Sequence, residues 1–514
     1  MLNYYLGLDN GGTTTKAALY LADGTEVCTA ATETKMIIPR PGFIERDMEE
    51  MWQANCFVIR QVLEKSGVPA ASIRSIAVCG HGKGLYLWGQ DGKPARNGII
   101  STDNRAARYP EKWKKDGTWQ KIFALTCQHI LACQPVSLLA WLKDNEPATL
   151  EQVKWVFECK DYIRFRLTGE ARAEITDYSG ANLLNLHTRD YDPRIFELLG
   201  LTDMQAALPP LCTSTEICGT ITEDTARLTG LAAGTPVAGG MFDIDACALA
   251  VNVVDDSHAC MIAGTWSINE YLRRTPVTDG SVLMNSLFCL PEYYLIEECS
   301  PTSAGNNEWF IKNLLSEYTQ AKKAAGENVY AELNDRVAAI PPNEFCPVFL
   351  PFLMASNVNP DAKACFVGLS NYHTRDHMLR SVYEGIAFSH RYHFEKLKAT
   401  RDVPFKSIRL AGGVAHSGIW TQMFADVLQL PVETMKVNET GAFGCAIAAA
   451  VAVGDFSSLA QAADSMCTRS ETFQPNPDNF AIYDRKYELY LQVIQALDPV
   501  WSTVQAMIDT QNRS

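Results

Sequence analysis

The first third of the chain alternates short apolar runs with clusters of turn-forming residues. Apolar runs occupy residues 4–8, 17–21 and 27–32, with Asn10-Gly11-Gly12 and Ala22-Asp23-Gly24 between them. Short apolar runs bounded by Gly, Asn and Asp are typical of strands joined by hairpin turns. The pattern therefore predicts a three-stranded meander over residues 4–33.

A helix and a further strand are predicted next. Asp47 precedes a periodic apolar stretch that continues to about residue 65, and two glutamates lie in its first turn, as expected for a capped helix N-terminus. Residues 73–79 form another apolar run, which leads into the glycine-rich segment 80–84. The first half thus has the order strands, helix, strand, glycine loop.

The second half repeats this order of elements. Predicted strands cover residues 258–263, a stretch through 271, 287–297 and 408–411, and a predicted helix covers residues 376–398. A repeated order indicates duplicated domains, and 514 residues exceed the size of a single hydrophobic core. We expect two domains with a boundary near residues 243–256, and insertions at about 110–235 and 305–345.

Composition and charge narrow the class of protein. The chain is 47% hydrophobic and 20% charged, as in an ordinary soluble enzyme, and its formal net charge is −14. Nucleic acid and anionic membrane surfaces both require a basic face, so neither is an expected partner. The 16 cysteines include no Cys-x-x-Cys pair, and no apolar run approaches the roughly 20 residues of a membrane-spanning helix. We expect a cytoplasmic protein with reduced thiols.

The first segment with candidate chemistry is Gly7-Leu8-Asp9-Asn10-Gly11-Gly12-Thr13-Thr14-Thr15-Lys16. A predicted strand here delivers an aspartate into a glycine turn followed by three hydroxyl groups. The backbone amides of such a turn can hold phosphate oxygens, and the carboxylate can bind magnesium. The alternative is a surface hairpin rich in turn formers. The spacing of a Walker loop is not present.

Two glycine segments in the second half could contact the same nucleotide. Gly264-Thr265 ends a predicted strand, and Gly412-Gly413 precedes His416 and Ser417 at the start of a predicted helix. Glycine allows the backbone to approach a ligand closely. Taken alone, a plain hairpin explains the first segment, and a strand-to-helix turn explains the second.

Two aspartates follow Gly239-Gly240 at the predicted domain boundary. Asp243 or Asp245 could act as a general base toward a substrate hydroxyl. Either side chain could instead cap the Ala-rich helix that follows.

Together these segments resemble the FGGY family of carbohydrate kinases over nearly the whole chain. Residues 364–369 and 377–384 are similar to the family's carboxy-terminal signature at every position. The other family signature is only partly present, because Trp141-Leu142-Lys143-Asp144-Asn145 fits while Leu138 stands where a lysine is usual and Cys133 is atypical. The departure bears on the substrate more than on the fold.

The resemblance implies an α/β fold of two actin-like, ribonuclease H-like ATPase domains with a catalytic cleft between them. The implied domains are residues 1–248, with the sugar site and the first phosphate hairpin, and residues 249–514, with the nucleotide site. The implied activity is ATP-dependent phosphorylation of an alcohol group with Mg²⁺, and the implied assembly is a homodimer.

The same resemblance assigns roles to individual residues. Asp9 is expected to bind Mg²⁺, and Asp243 is expected to act as the base, with Asp245 as the second choice. The expected nucleotide contacts are Thr13, Thr14, Lys16, Gly264, Thr265, Gly412, Gly413, His416 and Ser417, and the expected sugar contacts are His81, Gly82, Lys83, Asp103 and Asp243.

The expected substrate is a small sugar. The loop His81-Gly82-Lys83-Gly84 stands where xylulokinases typically show Gln-Met-His-Gly, and together with the segments around Pro135 and Asp243 it looks most like L-xylulose kinases. We therefore expect L-xylulose or another keto-pentose, with D-xylulose, ribulose and erythritol as alternatives. An actin-type or heat-shock-type ATPase that drives partner binding, and a sugar sensor without catalysis, are the alternatives from other classes.

Overall fold

The computed structural model describes residues 2–326 and 328–511 and divides into two compact units. Unit 1 comprises Met1–Val254, Leu272–Ile296 and Lys436–Thr468, and unit 2 comprises Asp255–Tyr271, Glu297–Met435 and Arg469–Ser514. Each unit is therefore assembled from three separate segments of the sequence.

The strands are short, and most lie in two central sheets. Their bounds are β1 (Tyr4–Asn10), β2 (Thr14–Leu21), β3 (Glu26–Glu33), β4 (Glu45–Arg46), β5 (Ile73–Gly80), β6 (Tyr86–Gly89), β7 (Gly98–Ile99), β8 (Val153–Phe157), β9 (Ala173–Glu174), β10 (Leu184–Asn185), β11 (Asp190–Tyr191), β12 (Leu211–Cys212), β13 (Ile217–Thr220), β14 (Pro236–Ala238), β15 (Met241–Phe242), β16 (His258–Ala263), β17 (Ser267–Arg273), β18 (Met284–Leu287), β19 (Tyr294–Ser300), β20 (Val348–Leu350), β21 (Cys365–Val367), β22 (Ser407–Ala411), β23 (Val432–Met435) and β24 (Arg469–Phe473).

The helices range from five to 32 residues. Their bounds are α1 (Met48–Ser66), α2 (Arg108–Lys115), α3 (Thr118–Thr126), α4 (Pro135–Asn145), α5 (Pro147–Glu151), α6 (Cys159–Thr168), α7 (Ile175–Gly180), α8 (Pro193–Leu199), α9 (Glu223–Thr229), α10 (Asp243–Ala250), α11 (Gly305–Leu314), α12 (Ser316–Ala324), α13 (Val329–Ala338), α14 (Arg375–Ala399), α15 (Gly418–Leu428), α16 (Thr440–Ala452), α17 (Leu459–Met466) and α18 (Phe480–Gln511).

The central sheet of unit 1 mixes parallel and antiparallel pairs. Its strand order is β13-β14-β5-β1-β2-β3, and β15 also pairs with β5. The pair β1–β5 is parallel, whereas β1–β2 and β2–β3 are antiparallel. Parallel neighbours end at the same edge of a sheet, so β1, β5 and β15 all deliver their following residues to one edge.

Helices cover both faces of this sheet. On one face α1 packs on β2 and β3, and its buried Trp52 and Ile59 join Leu8 and Val78 in the core. On the other face α16 packs on β1 and β5. Residues 441–450 of α16 are all buried, as expected for a helix that is apolar on every side.

The central sheet of unit 2 contains the same kind of module. Strands β19, β17, β16, β22, β23 and β24 follow one another in that order. The pairs β16–β22 and β22–β23 are parallel, and β16–β17 is antiparallel. Helices α14 and α15 pack together through Tyr383 and Trp420, whose rings stack with centroids 3.9 Å apart.

Most predicted elements are confirmed. The meander is β1 to β3, the helix after Asp47 is α1 with Asp47 as its N-cap, and the second-half helix is α14. The strand prediction over residues 287–297 is confirmed only at its two ends, in β18 and β19, and is wrong between them, where a turn separates the two strands. Pro291 lies in that turn, and proline disfavours a continuous inner strand because it has no N–H to donate.

The cysteines and the helices bear on two further expectations. All 16 cysteines are free thiols, each buried or half-buried. Within residues 2–326 and 328–511, no helix combines the length and the apolar character that crossing a membrane requires.

Candidate active site

The candidate site of unit 1 lies at the edge where three parallel strands end. Asp9 in β1 stands opposite Cys79 in β5, and Cys79 stands opposite Met241 in β15. The residues that follow these strands are the glycine hairpin, the loop after Gly80, and Asp243. The sheet register therefore brings together three segments that the sequence had indicated separately.

Asp9 is half-buried at this edge. Burial raises its carboxyl pKa, the charge of Lys16 opposes that rise, and the charge of Glu439 adds to it. The thiol of Cys79 hydrogen-bonds the carboxylate, which also lowers the pKa. A carboxylate that is made less stable by burial gains strongly from a nearby cation.

Gly441, in the first turn of α16, makes room for Asp9. A methyl group on Gly441 would lie 2.6 Å from Asp9 Oδ2 and 2.7 Å from its Cγ. Only glycine therefore allows the helix to approach the carboxylate so closely. Sequence reasoning missed this residue, because α16 is distant in the chain and no local motif marks it.

Lys16 faces the same carboxylate from the neighbouring strand. It pairs with Asp9 in the β1–β2 ladder, and its Nζ lies 2.6 Å from Glu439 Oε2. Burial lowers the pKa of Lys16, but the hydrogen bond and charge of Glu439 and the charge of Asp9 outweigh it, so the pKa is raised. Lys16 is thus held as a cation. Glu439 is a second residue that sequence reasoning missed.

The hairpin after β1 is fixed from inside by Arg46. This buried guanidinium donates to the carbonyl oxygen of Gly11 at 3.3 Å and also to that of Gly12. Gly11 N donates to Thr14 O at 3.1 Å, which closes the turn. Thr13 is exposed and Thr14 is half-buried, so both predicted phosphate contacts lie on the accessible side.

Asp243 is the first residue of α10 and is half-buried. Phe242 occupies the N-cap position, without a side-chain capping hydrogen bond. Burial, a hydrogen bond with Cys445 and the charges of Asp9 and Asp243 all raise the pKa of the Cys79 thiol. Both carboxylates therefore lie within electrostatic reach of one thiol.

Asp245 differs from Asp243 in its surroundings. It is fully buried, and Cys289 N donates to its Oδ1 at 3.1 Å. Because that oxygen already serves a backbone amide in the interior, Asp243 is the more accessible of the two carboxylates.

The predicted sugar loop begins with a buried histidine. His81 Nε2 shares a hydrogen bond of 2.7 Å with Tyr86 Oη, and burial lowers the pKa of His81 to about 3. Lys83 adopts a left-handed backbone conformation with φ of 65°, and its Nζ lies 5.4 Å from the centre of the Phe242 ring. Gly82 also packs on Phe242. The loop is thus in contact with the residue that precedes Asp243.

Asp103, another predicted sugar contact, is buried in an ion pair. Arg105 Nη2 lies 2.9 Å from Asp103 Oδ2, and Ile44 N donates to the same oxygen at 2.6 Å. Arg105 N and Nε each donate to Oδ1 at 2.9 Å. Both oxygens of Asp103 are therefore already occupied by hydrogen bonds within the protein, and its role toward a sugar stays a prediction.

In unit 2 the corresponding edge presents backbone and hydroxyl groups. Ala263 pairs with Ser267, so Gly264, Thr265 and Trp266 form the turn between β16 and β17. Gly412 follows the parallel strand β22 with φ of 86°, and a methyl group on it would lie 2.7 Å from the carbonyl carbon of Ala263. This close approach places Gly412 against the base of the turn.

The remaining predicted nucleotide contacts follow Gly412. Gly413 and His416 are exposed and begin and end a 3-10 turn. Ser417 caps α15, because its Oγ accepts from Trp420 N at 3.3 Å and donates to Asn334 Oδ1 at 2.9 Å.

The structure therefore groups the predicted residues by unit. In unit 1 it brings together the hairpin, Lys16, the sugar loop, Asp9 and Asp243, and in unit 2 it brings together the two glycine segments. Within the described residues no cluster of three or more His, Cys, Asp or Glu side chains is arranged to hold a metal ion.

Comparison with known proteins gives two matching family models. Residues 4–250 match the N-terminal domain of the FGGY family of carbohydrate kinases, and residues 259–453 match its C-terminal domain.

Individual relatives match over nearly their whole length. The chain is 38% identical over 499 residues to the L-xylulose/3-keto-L-gulonate kinase of Escherichia coli, covering 97% of this chain and 98% of that protein. It is 37% identical to a probable L-xylulose kinase of Pasteurella multocida, covering 96% and 99% respectively. The crystal structure of xylulose kinase from Rhodospirillum rubrum is 25% identical with a TM-score of 0.84, covering 97% of this chain and all of that one.

Proposed function

Because the chain belongs to the FGGY family of carbohydrate kinases, we propose that it transfers the γ-phosphoryl group of ATP to a hydroxyl of a keto-pentose, with L-xylulose preferred. The expected α/β fold of two actin-like domains and the ATP-dependent sugar kinase activity are those of the family. The alternatives from the classes of ATPase and sensor are not favoured. We place the family domains at residues 1–248 and 249–514.

Asp243 is the proposed general base. The observation that carries this assignment is the position of the two carboxylates beside β5. Asp9 lies in β1 and Asp243 directly follows β15, both strands pair in parallel with β5, and both carboxylates act on the thiol of Cys79 in β5. As the substrate hydroxyl oxygen forms its bond to the γ-phosphorus, the carboxylate accepts the hydroxyl proton. The bond between the γ-phosphorus and the bridging oxygen breaks, and ADP leaves.

Asp9 is the proposed ligand for Mg²⁺. Magnesium is usually held by one or two carboxylates together with substrate phosphates, and one half-buried carboxylate with a raised pKa fits that donor set. When bound, the ion neutralises charge that develops on the phosphates. Asp9 would hold the ion, and Lys16 would remain available as a separate fixed cation.

The proposed nucleotide contacts divide between the two units. Thr13, Thr14 and Lys16 would contact the transferring phosphate, and Gly264 and Thr265 would hold nucleotide phosphates. The contacts proposed to surround the nucleoside are Gly412, Gly413, His416 and Ser417. The support for these roles is the open glycine turn in each unit and the cationic state of Lys16.

The proposed sugar contacts are His81, Gly82, Lys83, Asp103 and Asp243. A neutral His81 can both donate and accept a hydrogen bond, and its low pKa keeps it neutral at physiological pH. The choice of L-xylulose is supported by the names of the relatives, one of which is also named for 3-keto-L-gulonate. We further propose a cytoplasmic homodimer that requires neither nucleic acid nor membrane as a partner.

A sugar panel tests this function. Purified protein with ATP and Mg²⁺ would be assayed for ADP release with L-xylulose, D-xylulose, L- and D-ribulose, erythritol, glycerol and gluconate. We expect the highest kcat/KM for L-xylulose. Preference for another sugar would keep the mechanism and reject the substrate, and ATP hydrolysis independent of every sugar would reject the kinase assignment.

A further inference from the structure

Among the residues that the structure describes, Glu158 is a buried carboxyl group without a hydrogen-bond partner. Its side chain is 1% exposed, and among the described residues no donor or acceptor hydrogen-bonds either carboxyl oxygen. It occupies the N-cap position of α6, yet its side chain makes no capping bond. Leaving a buried polar group unsatisfied costs about 1–3 kcal/mol, so the arrangement calls for a reason.

The position of Glu158 relates it to the sugar loop. Strand β8 ends at Phe157, which pairs with Tyr86 at the start of β6. Because the pair is antiparallel, Glu158 continues past Tyr86 toward the loop residues that precede β6. Gly84 N in that loop donates to Cys133 O at 2.7 Å, and the charges of Lys83 and Glu158 both act on the Cys133 thiol. Glu158 is therefore beside the loop and Cys133.

Lys160, whose charge acts on Glu158, is already engaged by other carboxylates. Lys160 Nζ lies 2.8 Å from Asp161, 3.3 Å from Glu174 and 3.3 Å from Asp177, and all of these side chains are fully buried. A methyl group on Gly82 would lie 2.9 Å from Asp177 Oδ1, so this ionic cluster lies directly under the sugar loop.

Those acidic neighbours influence the protonation of Glu158. Burial raises its pKa, and the charges of Asp177 and Asp161 raise it further, against the charges of Lys160 and Lys83. A protonated carboxyl group can donate one hydrogen bond and accept others, which suits it to a ligand with several hydroxyl groups. Asp103 is the contrast in this region, since its carboxylate is fully used by Arg105 and Ile44.

We propose that Glu158 hydrogen-bonds a hydroxyl group of the sugar substrate and so helps to determine which sugar is phosphorylated. This inference rests on the proposed sugar kinase function and adds a specificity residue that none of the sequence motifs indicated. The bound sugar supplies the hydrogen-bond partner that residues 2–326 and 328–511 do not give to Glu158.

The test compares substrates that lack single hydroxyl groups. kcat/KM would be measured for L-xylulose and for a set of monodeoxy-L-xyluloses with the unaltered protein, Glu158→Met and Glu158→Gln. We expect Glu158→Met to lose about 10- to 100-fold on L-xylulose and Glu158→Gln, which keeps a donor and an acceptor, to lose less than about threefold. For the deoxy sugar that lacks the hydroxyl group bound by Glu158, Glu158→Met should leave kcat/KM almost unchanged. In that sugar the hydroxyl partner of Glu158 is already missing.

Two controls separate specificity from structure. Glu151→Met, at an exposed site seven positions earlier, should leave the ratio of kcat/KM between L-xylulose and each deoxy sugar unchanged. The Tm of each variant reports folding. If Glu158→Met does not fold, Glu158→Thr is measured by the same criterion. Equal losses on all sugars would overturn this inference alone, whereas no sugar turnover by the unaltered protein would overturn the proposed function and this inference with it.

Discussion

In each unit the parallel strands of the central sheet end at one edge, and the two edges have the same arrangement of strands but carry different side chains. Each unit has a parallel pair, β1–β5 or β16–β22, whose first strand continues through a glycine turn into an antiparallel partner. In unit 1 that edge carries Asp9, Lys16 and Asp243, whereas in unit 2 it carries glycines and hydroxyl groups. The comparison teaches that side-chain charge distinguishes the edge proposed for chemistry from the edge proposed only to hold the nucleotide.

Removing one charge from the unit 1 edge should have the largest effect. We expect Asp243→Asn to lower kcat by about 10²- to 10⁴-fold, because the amide cannot accept the hydroxyl proton. The Kd for ATP should change little, since Asp243 is not a proposed nucleotide contact. Steady-state kinetics and calorimetric ATP binding would check both quantities.

Asp245→Asn is the matched control for that prediction. Asp245 accepts a hydrogen bond from a backbone amide in the interior. Its replacement should therefore act mainly on stability, as a lower Tm, and only weakly on kcat. If Asp243→Asn keeps full turnover, or if Asp245→Asn is the variant that loses it, the assignment of the base is wrong.

A methyl group in α16 should disturb the same edge less severely. Gly441→Ala places a carbon 2.6 Å from Asp9 Oδ2, so we expect kcat to fall by about 10- to 100-fold, a range that a displacement near 1 Å can produce, and more Mg²⁺ to be needed for half-maximal rate. Kinetics over a magnesium titration would measure this.

Gly264 occupies the glycine turn of unit 2 and has more space around it than Gly441 has. In the part of unit 2 that the structure describes, no atom lies within 4 Å of a methyl group on Gly264. Gly264→Ala should therefore leave Tm unchanged and alter only the KM for ATP. A change in magnesium requirement for Gly264→Ala would remove the proposed distinction between the edges.

Gly412→Ala should weaken unit 2 through its backbone. Its φ of 86° is unfavourable for alanine, and the added carbon would meet Ala263 at 2.7 Å. We expect the free energy of unfolding to fall by about 1–3 kcal/mol, with a higher KM for ATP and an unchanged KM for the sugar. Urea unfolding and kinetics would test this, and a raised sugar KM alone would contradict it.

The smallest predicted effect is one that the two units share. His81 in unit 1 and His390 in unit 2 are both buried, and burial lowers the pKa of each from 6.5 to about 3. The unfolded chain binds more protons between these values, so stability falls as the pH drops below 6.5. At pH 5.5 the contribution of each histidine to the free energy of unfolding should be about 1.4 kcal/mol smaller than at high pH.

Urea unfolding at pH 7.5 and 5.5 would measure that loss. His390→Gln should reduce the difference between the two pH values by about 1.4 kcal/mol, because glutamine does not titrate. The His390 ring lies between Ser303 Oγ at 3.0 Å and Asn269 Oδ1 at 2.8 Å, so the variant is expected to be less stable at both pH values. An unchanged pH difference would show that His390 titrates normally.

The sequence allowed prediction of features that depend on neighbouring residues. The meander, the capped α1 and the strands that precede the glycine turns follow from local apolar patterns and turn chemistry. The roles of Asp9 and Asp243 followed from family resemblance, whereas their convergence at one edge required the pairing of β1 and β15 with β5. Pro291 was a local signal of the missed turn between β18 and β19.

Features that depend on distant packing could not be predicted. Lys16 and Glu439 are 423 residues apart in sequence, and Gly441 matters only because α16 packs on β1. The contacts of Arg46 to Gly11 and Gly12 also join residues that are more than 30 positions apart in the sequence. The unsatisfied side chain of Glu158 could not be predicted either, because recognising it requires the burial of the residue and the positions of its neighbours.

The last segment of unit 1, Lys436–Thr468, also determines when that unit can be completed during synthesis. At about 5–20 residues per second, α16 emerges roughly 20–90 seconds after β1. Until then the sheet lacks its cover, since Ser75 Oγ donates to Ala449 O at 2.6 Å and Gly7 packs against Ala442. The nascent chain therefore carries an apolar sheet face through most of translation, and a truncated product that ends before residue 440 should be a substrate for chaperones and proteases.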